Sequence, residues 1–366
     1  MFIEYHMIQN FAPSNLNRDD TNNPKDCEFG GARRARISSQ CIKRAIRLEP
    51  VFTKITQVPT GERTRWLAAE IKKKLIGKGK AAEEAQERSS AFVGALLGGM
   101  DKGKEGRSKV LFYISEEEKN HIAAALLANW ENLDDKQYEE LAKQYKKAFE
   151  NRSSAPDIAL FGRMLADDPK LSLDAACQVA HAISTHRVSM EVDFFTAVDD
   201  LLDEEDSGAG MMGVTGFNSA CFYRYACIDW EQLKDNLGGD SALAAKTVEG
   251  FLRSSIQAVP TGKQNSFAAQ NAPSFVMAVV RADGTCWSLA NAFEKPVKAD
   301  SHHSLTENSI TALDKYWGNL KRVYGGDQLV AVLALEQGFP LEILGGSEAD
   351  NVENWVAEVL NALPKE

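Results

Sequence analysis

Six of the eighteen residues from 30 to 47 are lysine or arginine and none is acidic, in a chain whose formal net charge is -10. Guanidinium and ammonium groups are the side chains that grip phosphate oxygens, so the chemistry on offer is anion binding. The spacing gives it a geometry. Ser38 and Ser39 are good helix N-caps, because a hydroxyl accepts from an otherwise unpaired N–H of the first turn. A helix starting there places Gln40, Lys43, Arg44 and Arg47 on one face and Ile42, Ala45 and Ile46 on the other. Upstream, Arg34 and Arg36 alternate with Ala35 and Ile37, so an extended segment points both arginines one way. A charge run alone is a solvated face. A helix N-terminus beside two arginine-bearing elements is also a phosphate site, and the expected ligand is a nucleic-acid backbone.

Other clusters carry less. Gly98, Gly103 and Lys104 have P-loop spacing, but Glu105 takes the position of the magnesium-binding Ser or Thr, and the segment follows a helix pattern. His302 and His303 are adjacent, with no further ligand at metal spacing. Asp19-Asp20 and Asp199-Asp200 could hold a divalent ion for phosphodiester hydrolysis, or Arg18 could simply pair with its neighbour. Cys221 and Cys227 share a strand face and read as core. Phe194 and Phe195 face opposite ways on a strand, so one can fill a core while the other meets a ligand or both can be buried. No triad spacing is present, and no catalytic residue, metal or cofactor is expected.

The elements that must position these residues follow from periodicity. Ile3, Tyr5 and Met7 alternate with Glu4 and His6 as a first strand, and residues 12–26 read as loop. From 57 to 155 the pattern is helical: one helix carries Trp66, Leu67, Ile71 and Leu75, and a second spans 81–97. A third opens on a Ser115/Glu118 capping box, and a fourth spans 136–152. Residues 174–183 read as a further helix. Residues 188–198 and 220–228 read as strands joined by an acidic, glycine-rich tip, a projecting hairpin. A helix over 241–258, a strand over 275–280 with 286–289 as a possible partner, a helix near 313–323, a strand over 329–335 and a helix near 351–363 complete the chain. The order fits an α+β, ferredoxin-like βαββαβ sheet with two large insertions. At 366 residues, 44% hydrophobic and 26% charged, the composition is that of a globular protein. The longest apolar runs are too short to span a membrane. Six cysteines without a CxxC pair point to a reducing cytoplasm. The acidic balance argues against indiscriminate nucleic-acid binding, so contact must be local.

Several blocks together resemble a known family. They are Leu16-Asn-Arg-Asp-Asp20, Phe29-Gly-Gly31, Arg36-Ile-Ser-Ser-Gln40 with Lys43-Arg44, and Asp157-Ile-Ala-Leu160 with Gly162-Arg-Met164. Further on come His181-Ala-Ile183, the stretch from Phe195 to Leu201, Phe222-Tyr-Arg-Tyr-Ala226, Asn236-Leu-Gly-Gly239, and the stretch from Leu289 to Lys295. In this order they resemble CasC, the repeated RNA-binding backbone subunit of the type I-E CRISPR Cascade complex. The insertion and the last sixty or so residues resemble it less.

The resemblance implies an RRM-like palm (1–56, 156–187 and 229–366), a helical finger insertion (57–155) and a β-hairpin thumb (188–228). It implies copies stacked head to tail along CRISPR RNA, beside the large, small, RNA-capping and RNA-processing Cascade subunits, presenting the guide to target DNA. Asn17, Arg18, Lys25, Arg34, Arg36, Ser38, Gln40, Lys43, Arg44 and Arg47 would then hold RNA. Phe195 and Thr196, with Met164 opposite, would pack around a kinked nucleotide, and Arg163 would also bind RNA. Lys263 and Gln264, whose flanks depart from the family pattern, are possible RNA contacts. Lys136, Lys143, Lys146 and Lys147 would face the target DNA. The rival is a metal-dependent RNase using a loop aspartate, Asp20, as related type III backbone subunits do.

Overall fold

The structure is a computed structural model that describes residues 1–364 except 105, 166–167, 199–208, 327 and 336–338. Glu105, Asp199, Asp200 and the first half of the expected hairpin tip, 199–208, therefore lie outside the described residues. The chain divides into two compact units. One comprises Met1–Glu49, Val179–Cys227 and Phe251–Lys365; the other comprises Pro50–Gln178 and Ile228–Gly250. The expected helical insertion falls inside the second unit.

Eleven described strands are numbered in chain order: β1 Phe2–Ser14, β2 Asp26–Phe29, β3 Ala32–Ile37, β4 Glu62–Thr64, β5 Phe112–Ile114, β6 Cys177–Val179, β7 Ala182–Ser184, β8 Glu191–Val198, β9 Ala209–Asp229, β10 Phe275–Arg281 and β11 Gln328–Ala334. The first unit is built on a large antiparallel sheet in the order β11-β10-β1-β9-β7-β3-β2, with β8 paired to β9. Central β1 is buried on both faces from Ile3 to Gln9. Its alternation therefore separates two cores rather than core from solvent. On one face Tyr5 meets Phe251 and Trp355 edge-on. On the other, His6 lies against Tyr223 and Tyr225, and burial drives its pKa down to about 3. Glu4 is buried too, ion-paired to Arg281. The helix Leu305–Tyr324 opens on a Ser304/Glu307 capping box. It buries Ile310, Leu313 and Trp317 against Phe275, Met277 and Val279 of β10.

Three local expectations change. Residues 174–183 carry β6 and most of β7, not a helix; β7 lies inside the sheet between β9 and β3, and that pairing decides the conformation of so short a run. The hairpin is β8 with the first half of β9, registering Glu191 on Phe217 and Phe195 on Gly213, so much of the expected tip is strand. Residues 286–289 do not pair with β10, whose neighbours are β1 and β11.

The second unit is mostly helical, with a small two-stranded antiparallel sheet of β4 and β5. Its core gathers Leu67, Ile71 and Leu75, Phe92, Val93 and Leu96, and Leu141 and Tyr145. The Ser115/Glu118 capping box forms as expected at the helix Glu116–Ala128.

Candidate nucleic-acid interface

The helix α1, Ser39–Leu48, starts where its spacing predicts. Ser38 is the N-cap, accepting from Cys41 N. Ile42 and Ile46 are buried, facing the same space as Tyr5 and Phe251. Burying such a side chain stabilises by about 1.5–3 kcal/mol, which holds the polar face outward. Gln40 and Arg44 are exposed, while Lys43 and Arg47 are half-buried.

The helix start is tied to the loop 15–25 by Asn17, whose side-chain oxygen accepts from Ser38 N at 2.8 Å. Asn17 O accepts from Lys25 N at 2.8 Å, and Lys25 O accepts from Arg36 N at 2.9 Å. The loop is thereby stitched to β3 by a backbone bond and to the start of α1 by the Asn17 side chain. Asn17, Lys25 and Arg36 line one small crevice with Asn218 and Phe222. Arg36 donates to Asp26 O at 3.2 Å and lies 3.0 Å from His181 Nδ1. His181 is a member of this corner that the sequence marked only within a motif. Burial, then the cations Arg36 and Lys25, hold its pKa below the usual histidine value. Arg18 is exposed and donates to Asn22 Oδ1 at 2.8 Å.

The loop has its own scaffold. Asp19 accepts from Thr21 N, Thr21 Oγ1 and Asn23 N, an Asx-type turn in which the Thr21 hydroxyl leads in lowering its pKa. Asp20 is exposed. Asn15 donates to Asn22 O and to Gly216 O of β9, so the loop is fastened to the hairpin base. A Cβ at Gly262 would meet Leu16 O at 2.3 Å, which seats the turn 261–264 on the same loop. Lys263 lies there in the left-handed region, φ 49°, donating to Thr215 Oγ1 at 2.8 Å. Gln264 donates to Pro260 O and Ala269 O, so its amide nitrogen holds the turn.

Arg34 is corrected. It shares a side of β3 with Arg36 but is fully buried. Its guanidinium donates to Phe29 O, Ser184 O, Phe293 O and Glu294 O. The reason is its central place: β3 is covered there by the segment 293–294, and a Cβ at Gly30 would strike Glu294 O at 1.9 Å. Arg34 is a clamp, not a phosphate ligand. On the hairpin, Phe194 and Phe195 are both exposed, so neither fills a core. The Phe195 ring lies over Gly213, where a Cβ would come within 2.3 Å. Thr196 is exposed beside it, in register with Met212.

In the helical unit, Arg163 is corrected likewise. It is buried and donates to Leu171 O at 2.7 Å and Glu118 Oε1 at 2.6 Å. Met164, next in the chain, is 88% exposed. It lines a groove of about 500 Å³ with Arg63, Leu111 and Tyr113. On the helix Asp135–Ala148, Lys136, Lys143 and Lys147 are exposed. Lys146 is partly buried and pairs with Asp168 at 2.5 Å. Among the described residues, no three His, Cys, Asp or Glu side chains gather as a metal site, and no helix is long and apolar enough to cross a membrane.

The model of one protein family, described as "CT1975-like protein", matches residues 3–358. A solved chain from a "CRISPR RNA-guided surveillance complex, pre-nicking" is 32% identical, with a TM-score of 0.85 over 99% of this chain and 100% of that one. A chain from a second "CRISPR RNA-guided surveillance complex" is 28% identical, with a TM-score of 0.64 over 99% of each. No curated protein matches. The chain belongs to the CT1975-like family, a family of Cascade backbone subunits.

Proposed function

We propose that the protein is a non-catalytic backbone subunit of a cytoplasmic, type I-E Cascade complex. Copies oligomerise head to tail along CRISPR RNA, hold its ribose-phosphate backbone and leave the guide free to pair with target DNA. The sheet unit serves as the RRM-like palm, the helical unit as the fingers and the β8–β9 hairpin as the thumb. One observation carries the reading: Arg18, Lys25, Arg36 and the capped start of α1 are stitched into one corner through Asn17. Fixed cations beside a helix N-terminus suit a phosphate chain, whose sequence they do not read. The exposed apolar side chains of the hairpin, Val192, Phe194, Met211 and Met212, support a role at a contact between copies. Guide–target pairing then supplies sequence recognition.

The test is RNA binding by the double variant Lys43→Ala, Arg44→Ala. Affinity falls for every RNA sequence, and the slope of log K against log salt flattens by about 1.4, as expected for two single-strand phosphate contacts. Unchanged affinity and slope would remove the reading. Asp20, exposed on the same loop, makes the RNase alternative testable. Magnesium-dependent cutting of complementary RNA at regular intervals, abolished by Asp20→Ala, would replace a structural role with a catalytic one.

A further inference from the structure

The sheet unit brings two cysteines together that the RNA corner does not use. Cys227 lies near the end of β9, and Cys286 lies in the segment between β10 and the turn at 290–293. They are 59 residues apart in sequence, and their sulfurs are 2.9 Å apart. That is within an ångström of a sulfur–sulfur bond, about 2.05 Å. The segment carrying Cys286 is pinned to β1 and β9 by one hydrogen bond each. Trp287 N donates to Glu4 Oε2 at 2.7 Å, and Leu289 N donates to the Tyr223 hydroxyl at 2.8 Å. Arg281 stacks over the Trp287 ring at 4.5 Å and holds Glu4 in place. Cys227 is buried and Cys286 is half-buried, so one sulfur can meet a solvent oxidant while the other waits behind it.

We infer that Cys227 and Cys286 are a redox-active pair that hydrogen peroxide closes into a disulfide. The Cys286 thiolate attacks one peroxide oxygen, breaking the O–O bond; the leaving hydroxide takes up the thiol proton as water, and Cys286 becomes a sulfenic acid. The Cys227 thiolate then attacks that sulfur, the S–O bond breaks, and the second water leaves with the second thiol proton. Two thiols are oxidised by two electrons and one peroxide is reduced to two waters. The bond fastens β9, the strand that continues from the hairpin into the sheet, to the segment after β10. Cys27 and Cys41 are also half-buried, and burial pushes both thiols up, which disfavours their thiolates.

The experiment uses the full chain, reduced, desalted and treated with one equivalent of hydrogen peroxide. Two of the six thiols disappear, the intact mass falls by two hydrogens, and peptide mapping without reductant joins the Cys227 and Cys286 peptides. A dithiol reductant reverses the change. The link is lost in Cys286→Ser and in Cys286→Ala, and persists when Cys27 and Cys41 are both changed to Ser. The wild-type map decides the linkage even where a variant folds poorly. Oxygen added at Cys286 with no cross-link, or a link to another cysteine, overturns the inference. The bridged chain melts higher, by roughly 5 °C, because closing a long loop constrains the unfolded chain. A lower melting temperature would mean that the bridge strains the fold, against the pinned geometry.

Discussion

The two cation-bearing surfaces carry similar side chains and are built in different ways. In the sheet unit, Arg18, Lys25 and Arg36 come from a loop and a strand joined by the Arg36–Lys25 backbone bond and by the Asn17 side chain at Ser38. Their positions are set by the fold before any ligand arrives. On the helix Asp135–Ala148, Lys136, Lys143 and Lys147 stand on a solvent face opposite Tyr138, Leu141 and Tyr145. That face is fixed by helical periodicity alone, and its long side chains keep their rotamer freedom. The first surface suits a single backbone path; the second suits diffuse attraction. A fixed cation loses little entropy on binding, whereas an exposed lysine must be ordered by its ligand.

The contrast breaks most completely at Arg34. Its removal leaves the buried carbonyls of Ser184 and Phe293 without their donor. An unsatisfied buried acceptor costs about 1–3 kcal/mol, so Arg34→Met destabilises the chain by roughly 2–6 kcal/mol, measured by urea unfolding. Arg34→Lys recovers little, because a point charge cannot span carbonyls that a planar fork reaches. Loss of RNA binding in this variant should track loss of folded protein. A stable Arg34→Met that fails only in RNA binding would return Arg34 to the interface.

A smaller effect separates the lysine helix from the stitched corner. Changing Lys136, Lys143 and Lys147 to Ala together leaves stability within about 0.5 kcal/mol, as exposed substitutions usually do. Binding of complementary DNA by the assembled complex weakens, and its salt slope falls by roughly 2. Guide RNA retention is unaffected. If guide retention fell and DNA binding held, the two surfaces would have exchanged roles.

Much of this was legible in the sequence, and the misses have physical causes. Helix α1 followed from the Ser38 cap and the spacing of Ile42 and Ile46, and the capping box at Ser115 followed from four residues. These signals are local. Arg34 and Arg36 could not be separated by alternation, because both point to one side of β3. What divides them is the cover from residues 293–294, some 260 positions away in the chain. Arg163 hides for the same reason, behind a buried partner, Glu118, that no spacing rule connects to it. His181 entered only as part of a motif, since a lone exposed histidine has no pattern of its own. The strands at 177–184 carry no distinguishing signal, because so short an apolar run suits either period.

His181 offers the subtlest probe of the stitched corner. Burial and the neighbouring Arg36 and Lys25 depress its folded-state pKa. Above the unfolded value, about 6.5, the imidazole is neutral in both states and contributes no pH dependence. As pH falls below that value, the unfolded chain binds a proton that the folded chain resists. Stability therefore declines with acidification until the lower folded pKa is passed. Replacing His181 with Gln removes that contribution, so the variant loses less stability than the wild type as acidification begins below about pH 6.5. A bound phosphate chain should act in the opposite sense. Its negative charge offsets Arg36 and Lys25, raising the His181 pKa, so the imidazole resonances of the RNA-bound chain titrate at higher pH than those of the free chain. A resonance that RNA does not move would separate His181 from the phosphate path and confine the interface to the loop and α1.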